Sequence, residues 1–309
     1  MKTRATTAHS ALLAASLLTL AVLSWSLNAI VGRMADGLIP AFTLSFWRWV
    51  IALVILLPFG WRQAWQDRAV YRRHWLQISL MAVVSVGAYN TLQYWALNYT
   101  TAIQTGVVGA TMPAMVLLLG WLFRVETANA RQLTGLVLAM LGALLTLAHG
   151  DLRLLLSLQL NIGDVLMELA IISWAAYSLM LRHTAFTLQP VGMLLVLIVI
   201  GLLSIAPFYA WNLWHQQTIV WSGKTLVLFA YVGIFPSIMA YLFWIRGVAR
   251  LGAPVAALFI NFMPIFTGVL SIWLLQEPLY GYHIISVILV ATGIALSVRR
   301  KRPAPQQPA

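Results

Sequence analysis

Long apolar stretches recur along this chain from one end to the other, and they restrict its fold more than any other feature. An α-helix needs about 20 mainly apolar residues to cross a bilayer, and it satisfies its backbone groups internally. Strand-like alternation fits none of the stretches well. We therefore predict an all-α membrane protein with ten transmembrane helices. They cover roughly residues 11–32, 39–60, 76–97, 101–123, 132–149, 163–182, 190–212, 224–245, 253–275 and 280–299.

The composition also indicates a membrane protein. Apolar residues make up 61% of the 309 residues and charged residues only 8%, whereas an average soluble domain has about 25% charged residues. A compact body with so few charges could not cover itself with polar surface, which argues against a soluble enzyme or a water-exposed binding module. The chain has no Cys, which excludes disulfides, iron–sulfur clusters and cysteine nucleophiles. We expect no cofactor and no metal site.

Lys and Arg residues predict the orientation of the chain, because they concentrate in cytoplasmic loops. If the N-terminus is cytoplasmic, fifteen of them fall on that side and three on the other. The net charge of +12 is then a topology signal, and nucleic acid is not expected as a partner. Lys2 and Arg4 before an apolar run also resemble a signal peptide, but no Ala-x-Ala type cleavage site follows. We therefore predict a multi-pass protein of a bacterial inner membrane, with both termini cytoplasmic and the lipid bilayer as its partner.

The two halves of the chain resemble each other. The segment 20–25 matches 169–174 at an offset of 149, and Met112-Pro113 matches Met263-Pro264 at an offset of 151. Five helices per half is an odd number, so the second half must enter the membrane from the opposite side. Such inverted repeats are typical of transporters with a site near the midplane. The predicted units are a first repeat over 1–149, a linker over 150–162, a second repeat over 163–302 and a disordered tail over 303–309.

Several motifs carry a resemblance to a known family. They are Ser24-Trp25, Pro40, Arg48-Trp49, the segment Ala96-Leu97-x-Tyr99-Thr100-Thr101-Ala102, Pro113 with Glu126, Gly163-Asp164, and Pro264 with Glu277-Pro278. Over residues 10–300 the chain resembles the EamA-type transporters of the drug/metabolite transporter superfamily. The resemblance implies ten helices, cytoplasmic termini and a central cavity between the repeats. It also implies export of small metabolites such as amino acids, with helices 4 and 9 flanking the pathway.

Polar and aromatic side chains inside the spans are the candidates for a substrate pathway, because hydrocarbon makes polar groups costly unless they face protein or water. A midplane cavity built from them suits a small amphipathic or zwitterionic solute. The alternative is that Asn, Ser and Thr join helices by hydrogen bonds while Trp and Tyr anchor at the interfaces. The candidates are Trp25, Asn28, Asn90, Tyr94, Thr111, Trp174, Tyr177, Tyr241 and Asn261.

Four other residues have separate interpretations. Pro113 and Pro264 interrupt helices at equivalent positions and act either as hinges or as fixed kinks. Arg48 lies near mid-bilayer and needs an acceptor, for which protein groups are favoured over a substrate carboxylate. Glu168 is the acidic residue well inside a span and is a candidate for proton coupling. The competing interpretation of Glu168 is a solvated carboxylate at the outer mouth, near a helix N-terminus.

Catalysis is not expected, because no Asp, Lys or His lies in a span interior and the zinc-helix and nucleophile-elbow motifs are absent. The expected function is that of a secondary transporter, which exports small organic metabolites by alternating access. Import of similar solutes is one alternative, and a membrane scaffold that moves nothing is another. Substrate identity, coupling ion and oligomeric state do not follow from the sequence.

Overall fold

The computed structural model describes residues 2–109, 111–124, 130–147, 149–151, 161–182, 184, 186–251, 259–260 and 262–298, and all regular structure among them is helical. The α-helices are α1 (Lys2–Ala35), α2 (Ala41–Gln66), α3 (Arg68–Arg73), α4 (Trp75–Ala82), α5 (Asn90–Ala96), α6 (Ala102–Gly109), α7 (Met112–Leu122), α8 (Ala130–Leu147), α9 (Ile162–Arg182), α10 (Pro190–Trp214), α11 (Gly223–Ile234), α12 (Ala240–Leu251), α13 (Met263–Leu270) and α14 (Gly281–Val298). Three π-helical segments continue α-helices: π1 (Val83–Tyr89), π2 (Phe235–Met239) and π3 (Ser271–Leu275).

Six helical stretches of the described residues are long and apolar enough to cross a membrane. They are Leu12–Ala35, Ala41–Gln66, Trp75–Ala96, Ile162–Leu181, Pro190–Trp214 and Gly223–Trp244. A seventh is obtained when α6 and α7 are counted as one span that bends by 48°. Two further apolar helices, Met263–Leu275 and Gly281–Gly293, are shorter. The predicted all-α membrane fold is therefore confirmed, whereas the count of ten helices stays a prediction.

Helix α2 illustrates how the sequence shapes a span. Its buried side recurs every four residues, at Leu44, Arg48, Ala52 and Leu56, which is the spacing that places side chains on one helix face. This side packs against neighbouring helices, α10 among them. The other side exposes large apolar residues such as Phe59, which in a membrane face lipid.

Contacts between helices form matching pairs across the two halves. Helix α2 packs along α10, and α8 packs along α14. Each of these two contacts joins helices that occupy equivalent positions in the two halves. Helix α1 packs on α12 and α13, while α9, the first helix of the second half, packs on α5 and α7. Exchanging the two halves turns the contacts of α1 into those of α9 and leaves the other two contacts unchanged. The packing therefore fits a two-fold relationship between the halves.

The buried apolar residues form clusters that frame the centre of the bundle. One cluster joins α2 to α10 and includes Trp49 and Tyr177, with Trp174 and Tyr241 packed against it. A second cluster joins α1, α5 and α11 and includes Tyr94. Arg48 touches members of both, and it therefore lies where the two clusters meet.

Candidate functional site

The guanidinium group of Arg48 lies at the centre of the candidate site and is almost fully buried. Its Nε donates to Oγ of Ser237 at 2.6 Å, and its Nη1 donates to Oδ1 of Asn90 at 2.6 Å and to the hydroxyl of Tyr94 at 2.8 Å. Oδ1 of Asn28 accepts from the same Nη1 at 3.2 Å and from the Tyr94 hydroxyl at 2.6 Å. These acceptors belong to α1, α5 and π2, so both halves of the chain hold the charge.

Two π-helical segments position acceptors of Arg48. Segment π1 ends directly before Asn90, and π2 contains Ser237. Pro236 has no N–H, which interrupts the normal helical ladder, and Oγ of Ser237 donates to the carbonyl of Val232 five residues earlier. At the repeat offset of 149, the residues of π1 (83–89) correspond in sequence to residues 232–238, and this range overlaps π2. Single π turns occur frequently at functional sites, and here each half contributes one next to the same cation.

Aromatic rings form a wall beside this polar group. The ring centroid of Tyr241 lies 6.0 Å from Trp25, 6.2 Å from Trp174 and 6.4 Å from Trp49, each in an edge-on arrangement. Trp174 also lies 5.2 Å from Tyr177, and the Arg48 guanidinium lies 5.0 Å from the ring of Trp49. Edge-on packing is a favourable geometry for aromatic pairs. The wall is therefore continuous with the buried cation.

Arg48 has no acidic partner within the described part of the chain. No carboxylate there lies within ion-pair distance of its guanidinium group, and the hydrogen bonds described above go to neutral amide, phenol and hydroxyl oxygens. A buried charge is usually paired, because water no longer stabilises it. Among the described residues, Arg48 is therefore a buried cation without an anionic partner, which makes it a candidate for binding an anionic group through charge-assisted hydrogen bonds.

Other predicted residues lie apart from this group. Thr111 is fully buried, and its Oγ1 donates to the carbonyl of Val108 at 2.7 Å, so this hydrogen bond stays within its own span. Pro113 and Pro264 lie in the first turns of α7 and α13, and α7 follows the 48° bend after α6. Their role as hinges stays a prediction. Asn261 lies outside the described residues.

Glu168 lies on α9 and does not contact Arg48. Its side chain is half buried, and its Oε2 is closed off from solvent without a hydrogen-bond partner among the described residues. Both interpretations of Glu168, proton coupling and a solvated carboxylate at the outer mouth, stay predictions. One helical turn earlier, Asp164 is fully buried and hydrogen-bonded.

Sequence reasoning left two residues of the group out of the candidate set. Ser237 accepts a hydrogen bond from Arg48, and Gln93 accepts one from Nδ2 of Asn28 at 3.1 Å. A signal for Ser237 is present in the sequence, since it lies four residues before Tyr241 on the same helical face. Arg48 was identified from the sequence as a cation that needs acceptors, but the sequence does not show that those acceptors come from helices that are distant along the chain.

Comparison with known proteins places this chain in a family. The sequence profile of the EamA-like transporter family matches the chain twice, over residues 12–148 and 161–299. An uncharacterized transporter of Archaeoglobus fulgidus is 25% identical over 291 residues, which cover 92% of this chain and 97% of that protein. The uncharacterized transporter YetK of Bacillus subtilis is 24% identical over 285 residues, which cover 91% of this chain and 86% of that protein.

Two further similarities concern the fold and part of the chain. A riboflavin transporter of Brucella anthropi is 30% identical over 148 residues, which cover 47% of this chain and 48% of that protein. A solved crystal structure superposes with a TM-score of 0.58 at 18% identity, covering 92% of this chain and 96% of its own, and therefore shares the fold. The two profile matches fall on the two halves of the chain. The chain therefore belongs to the EamA-like transporter family of the drug/metabolite transporter superfamily and is a multi-pass membrane protein.

Proposed function

We propose that this protein is a secondary transporter that exports small organic solutes across a bacterial inner membrane by alternating access. The proposal includes ten helices in two inverted five-helix repeats, with both termini cytoplasmic. It is supported by the family membership and by the exchangeable helix contacts between the halves. A scaffold that moves nothing has no need for a buried cation and an aromatic wall where its halves meet.

The observation that carries the proposal is that both halves hold Arg48. Asn90 binds it from the first half and Ser237 from the second. Alternating access requires the halves to move against each other around a fixed midplane site. Such a movement would break one set of these hydrogen bonds and release guanidinium donors toward a solute.

The chemistry of the site favours a small amphipathic solute with a carboxylate, such as an amino acid. The guanidinium of Arg48 can bind the carboxylate through two parallel hydrogen bonds, while Trp25, Trp174 and Tyr241 pack against the apolar part. The same positive charge disfavours purely cationic solutes. We expect the wild type to transport an anionic or zwitterionic solute and to reject its cationic analogue.

A second solute class is supported by one specific observation. The relative from Brucella anthropi is named as a riboflavin transporter, and riboflavin is a flat aromatic compound without a carboxylate. The aromatic wall around Tyr241 could stack against such a ring system. Import of similar solutes rather than export is the alternative direction.

Two measurements test the proposal. Cells that overproduce the protein are challenged with toxic amino acids, their analogues and flavin analogues, and the solutes that they resist are then followed in liposomes that contain purified protein. We expect Arg48→Gln to lose most transport of carboxylate solutes, whereas Arg62→Gln, at an exposed position of the same helix α2, should transport normally. Thermal unfolding of each variant separates a lost site from a lost fold. Normal transport by a folded Arg48→Gln protein, or no flux of any solute through the folded wild type, would contradict the proposal.

A further inference from the structure

A second polar cluster surrounds Asp164, at the beginning of α9 and away from Arg48. The carboxylate of Asp164 is fully buried. It accepts hydrogen bonds from Oγ1 of Thr100, from Nε2 of Gln104 at 3.2 Å and from Nε2 of His149 at 2.8 Å. An ionised carboxylate has no proton to donate, so the imidazole must be the donor in the last contact. Three donors thus converge on one buried charge.

The cluster continues onto α14. Nδ1 of His283 accepts from the backbone N–H of Tyr280 at 3.2 Å, so in the neutral ring Nε2 carries the proton and donates to Oε1 of Gln104 at 3.1 Å. The hydroxyl of Tyr282 lies 3.5 Å from Nδ1 of His149. The first half of the chain supplies α6 and the end of α8, and the second half supplies α9 and α14. The cluster therefore joins the two halves at one end of the bundle.

His149 adopts a backbone conformation that favours glycine. Its φ is 48°, and it follows α8 in a Schellman motif in which the N–H of His149 donates to Thr146 and the N–H of Gly150 donates to Leu145. This left-handed region is unfavourable for residues other than glycine. The contact between His149 and Asp164 offsets this cost, since the turn delivers the imidazole to the buried carboxylate.

His149 also connects that carboxylate to solvent. Its side chain is 39% exposed, whereas that of Asp164 is 0% exposed. No Lys or Arg of the described residues lies within ion-pair distance of Asp164. The other titratable groups near the pair lie on several elements: Tyr280, Tyr282 and His283 at α14, Tyr99 before α6, Asp151 after the turn, Glu168 one turn along α9, and Glu277. The carboxylate of Glu277 accepts hydrogen bonds from the backbone N–H groups of Ala102 and Ile103 at 3.0 Å each.

We propose that His149 and Asp164 form a proton-binding site that holds this end of the bundle closed. One proton from solution binds to Nδ1 of His149 while Nε2–H stays donated to Asp164, and no bond between heavy atoms changes. The neutral imidazole becomes an imidazolium, so the hydrogen bond to Asp164 becomes charge-assisted on both sides and stronger. The stronger pair draws the end of α8 toward the start of α9.

The role of this site in transport rests on the proposed function. In the proposed orientation this end faces the outside of the cell. Protons that bind there from the outer solution would close the outer end and favour return to the state that is open to the cytoplasm. The proton would then act on the conformational cycle at a site separate from Arg48.

The absence of native Cys permits a direct test. Thr105→Cys places a thiol next to Gln104, at a fully buried position of α6. The purified protein in detergent is labelled with a water-soluble maleimide between about pH 5 and 8, where His titrates. Each rate is divided by that of the same protein unfolded at the same pH, which removes the pH dependence of the thiol. We expect the normalised rate to fall by about fivefold or more at the acidic end, as a modest coupling free energy predicts.

Two variants and one control complete the test. His149→Gln, at a half-exposed position, can still donate a hydrogen bond but cannot gain a proton, so its normalised rate should not vary with pH. Asp164→Asn should lose the slowing of labelling at acidic pH, because it offers no charge to the imidazolium. His215→Gln changes another exposed His, at the end of α10, and should behave as wild type. A pH-independent wild type, or a His149→Gln variant with the wild-type profile, would overturn the proposal.

Labelling requires no solute and reaches both ends of the protein in detergent. A protein that transports nothing yet shows this pH profile would contradict the proposed function and leave the proton site standing. A protein that exports solutes but labels independently of pH would contradict the proton site and leave the proposed function standing.

Discussion

Nη1 of Arg48 lies 2.6 Å from Oδ1 of Asn90, and this contact joins α2 to the residue that follows π1. The amide is therefore the partner of a buried charge as well as a candidate wall of the pathway. Cavity lining and helix joining are alternative roles for a polar residue in a membrane. For Asn90 the two roles coincide, because the hydrogen bond that joins the helices is made to the group proposed to bind the solute.

Substitution of Asn90 by Ala or Asp separates these roles. Asn90→Ala removes a hydrogen bond to a charged group, which is worth about 1.5–3 kcal/mol, so both the melting temperature and transport should fall. Asn90→Asp gives Arg48 a carboxylate partner and should keep the melting temperature at or above that of wild type. Transport of carboxylate solutes should nevertheless fall, because the new carboxylate competes for the guanidinium. Thermal unfolding and liposome efflux provide the two readouts, and an Asn90→Asp protein with wild-type efflux would argue against a carboxylate solute.

The fold class could be predicted because the bilayer allows few solutions. Apolar runs of about 20 residues are read directly from the chain, and Asn28, Asn90 and Tyr94 attract attention because polar groups are rare in hydrocarbon. Their convergence on Arg48 was not predictable, since Asn28 and Ser237 belong to opposite halves of the chain. Only packing brings them to one guanidinium.

The pair of His149 and Asp164 has an even weaker sequence signal. Both residues lie near the predicted linker, where charged side chains are ordinarily solvated. Their contact depends on a left-handed turn at His149, a position where the Schellman motif would favour Gly. Of the two π segments beside Arg48, π2 has a sequence signal in Pro236, whereas π1 contains no Pro and lacks that signal.

Cysteine labelling in intact cells tests the orientation. Gln217→Cys, in the exposed segment after α10, should react with an impermeant thiol reagent, because the fifteen-to-three distribution of Lys and Arg places it outside. Arg72→Cys, at an exposed position of α3, should react only after the cells are opened. The reverse labelling pattern would show that the predicted orientation is wrong.

The packing of α6 against α13 gives a stability prediction with an internal control. A Cβ atom added at Gly106 would lie 2.8 Å from Cβ of Thr267, and overpacking of this kind costs about 1–3 kcal/mol. Gly106→Ala should therefore lower the melting temperature. A Cβ atom at Gly109, on the same helix, meets no described residue within 4 Å. Gly109→Ala should therefore leave the melting temperature unchanged or raise it, since Ala favours a helix. Equal melting of both variants would mean that α6 and α13 are less closely packed.

The ring of Tyr241 should matter for solute affinity more than its hydroxyl. Tyr241→Phe keeps the aromatic contacts with Trp25 and Trp174 and should transport with a near-normal KM. Tyr241→Ala removes the ring, and the loss of an aromatic pair contribution of about 0.5–1.5 kcal/mol predicts a rise in KM up to about tenfold. Initial rates over a range of solute concentrations measure both values. A larger defect in Tyr241→Phe than in Tyr241→Ala would contradict a wall formed by the ring.

Glu168 provides the test of proton coupling inside the membrane. Its Oε2 is buried without a partner among the described residues, so the carboxyl group has room to change its protonation state without breaking a hydrogen bond at that oxygen. Glu168→Gln has nearly the same shape but can neither gain nor lose the proton. Coupling through Glu168 predicts that transport by this variant depends less on pH than transport by the wild type, with the remaining dependence due to His149 and Asp164. Its Thr105→Cys labelling should still vary with pH, because His149 and Asp164 are unchanged. Asp36→Asn, at an exposed position, is the control. If Glu168→Gln kept the full pH dependence of wild-type transport, Glu168 would have no part in coupling.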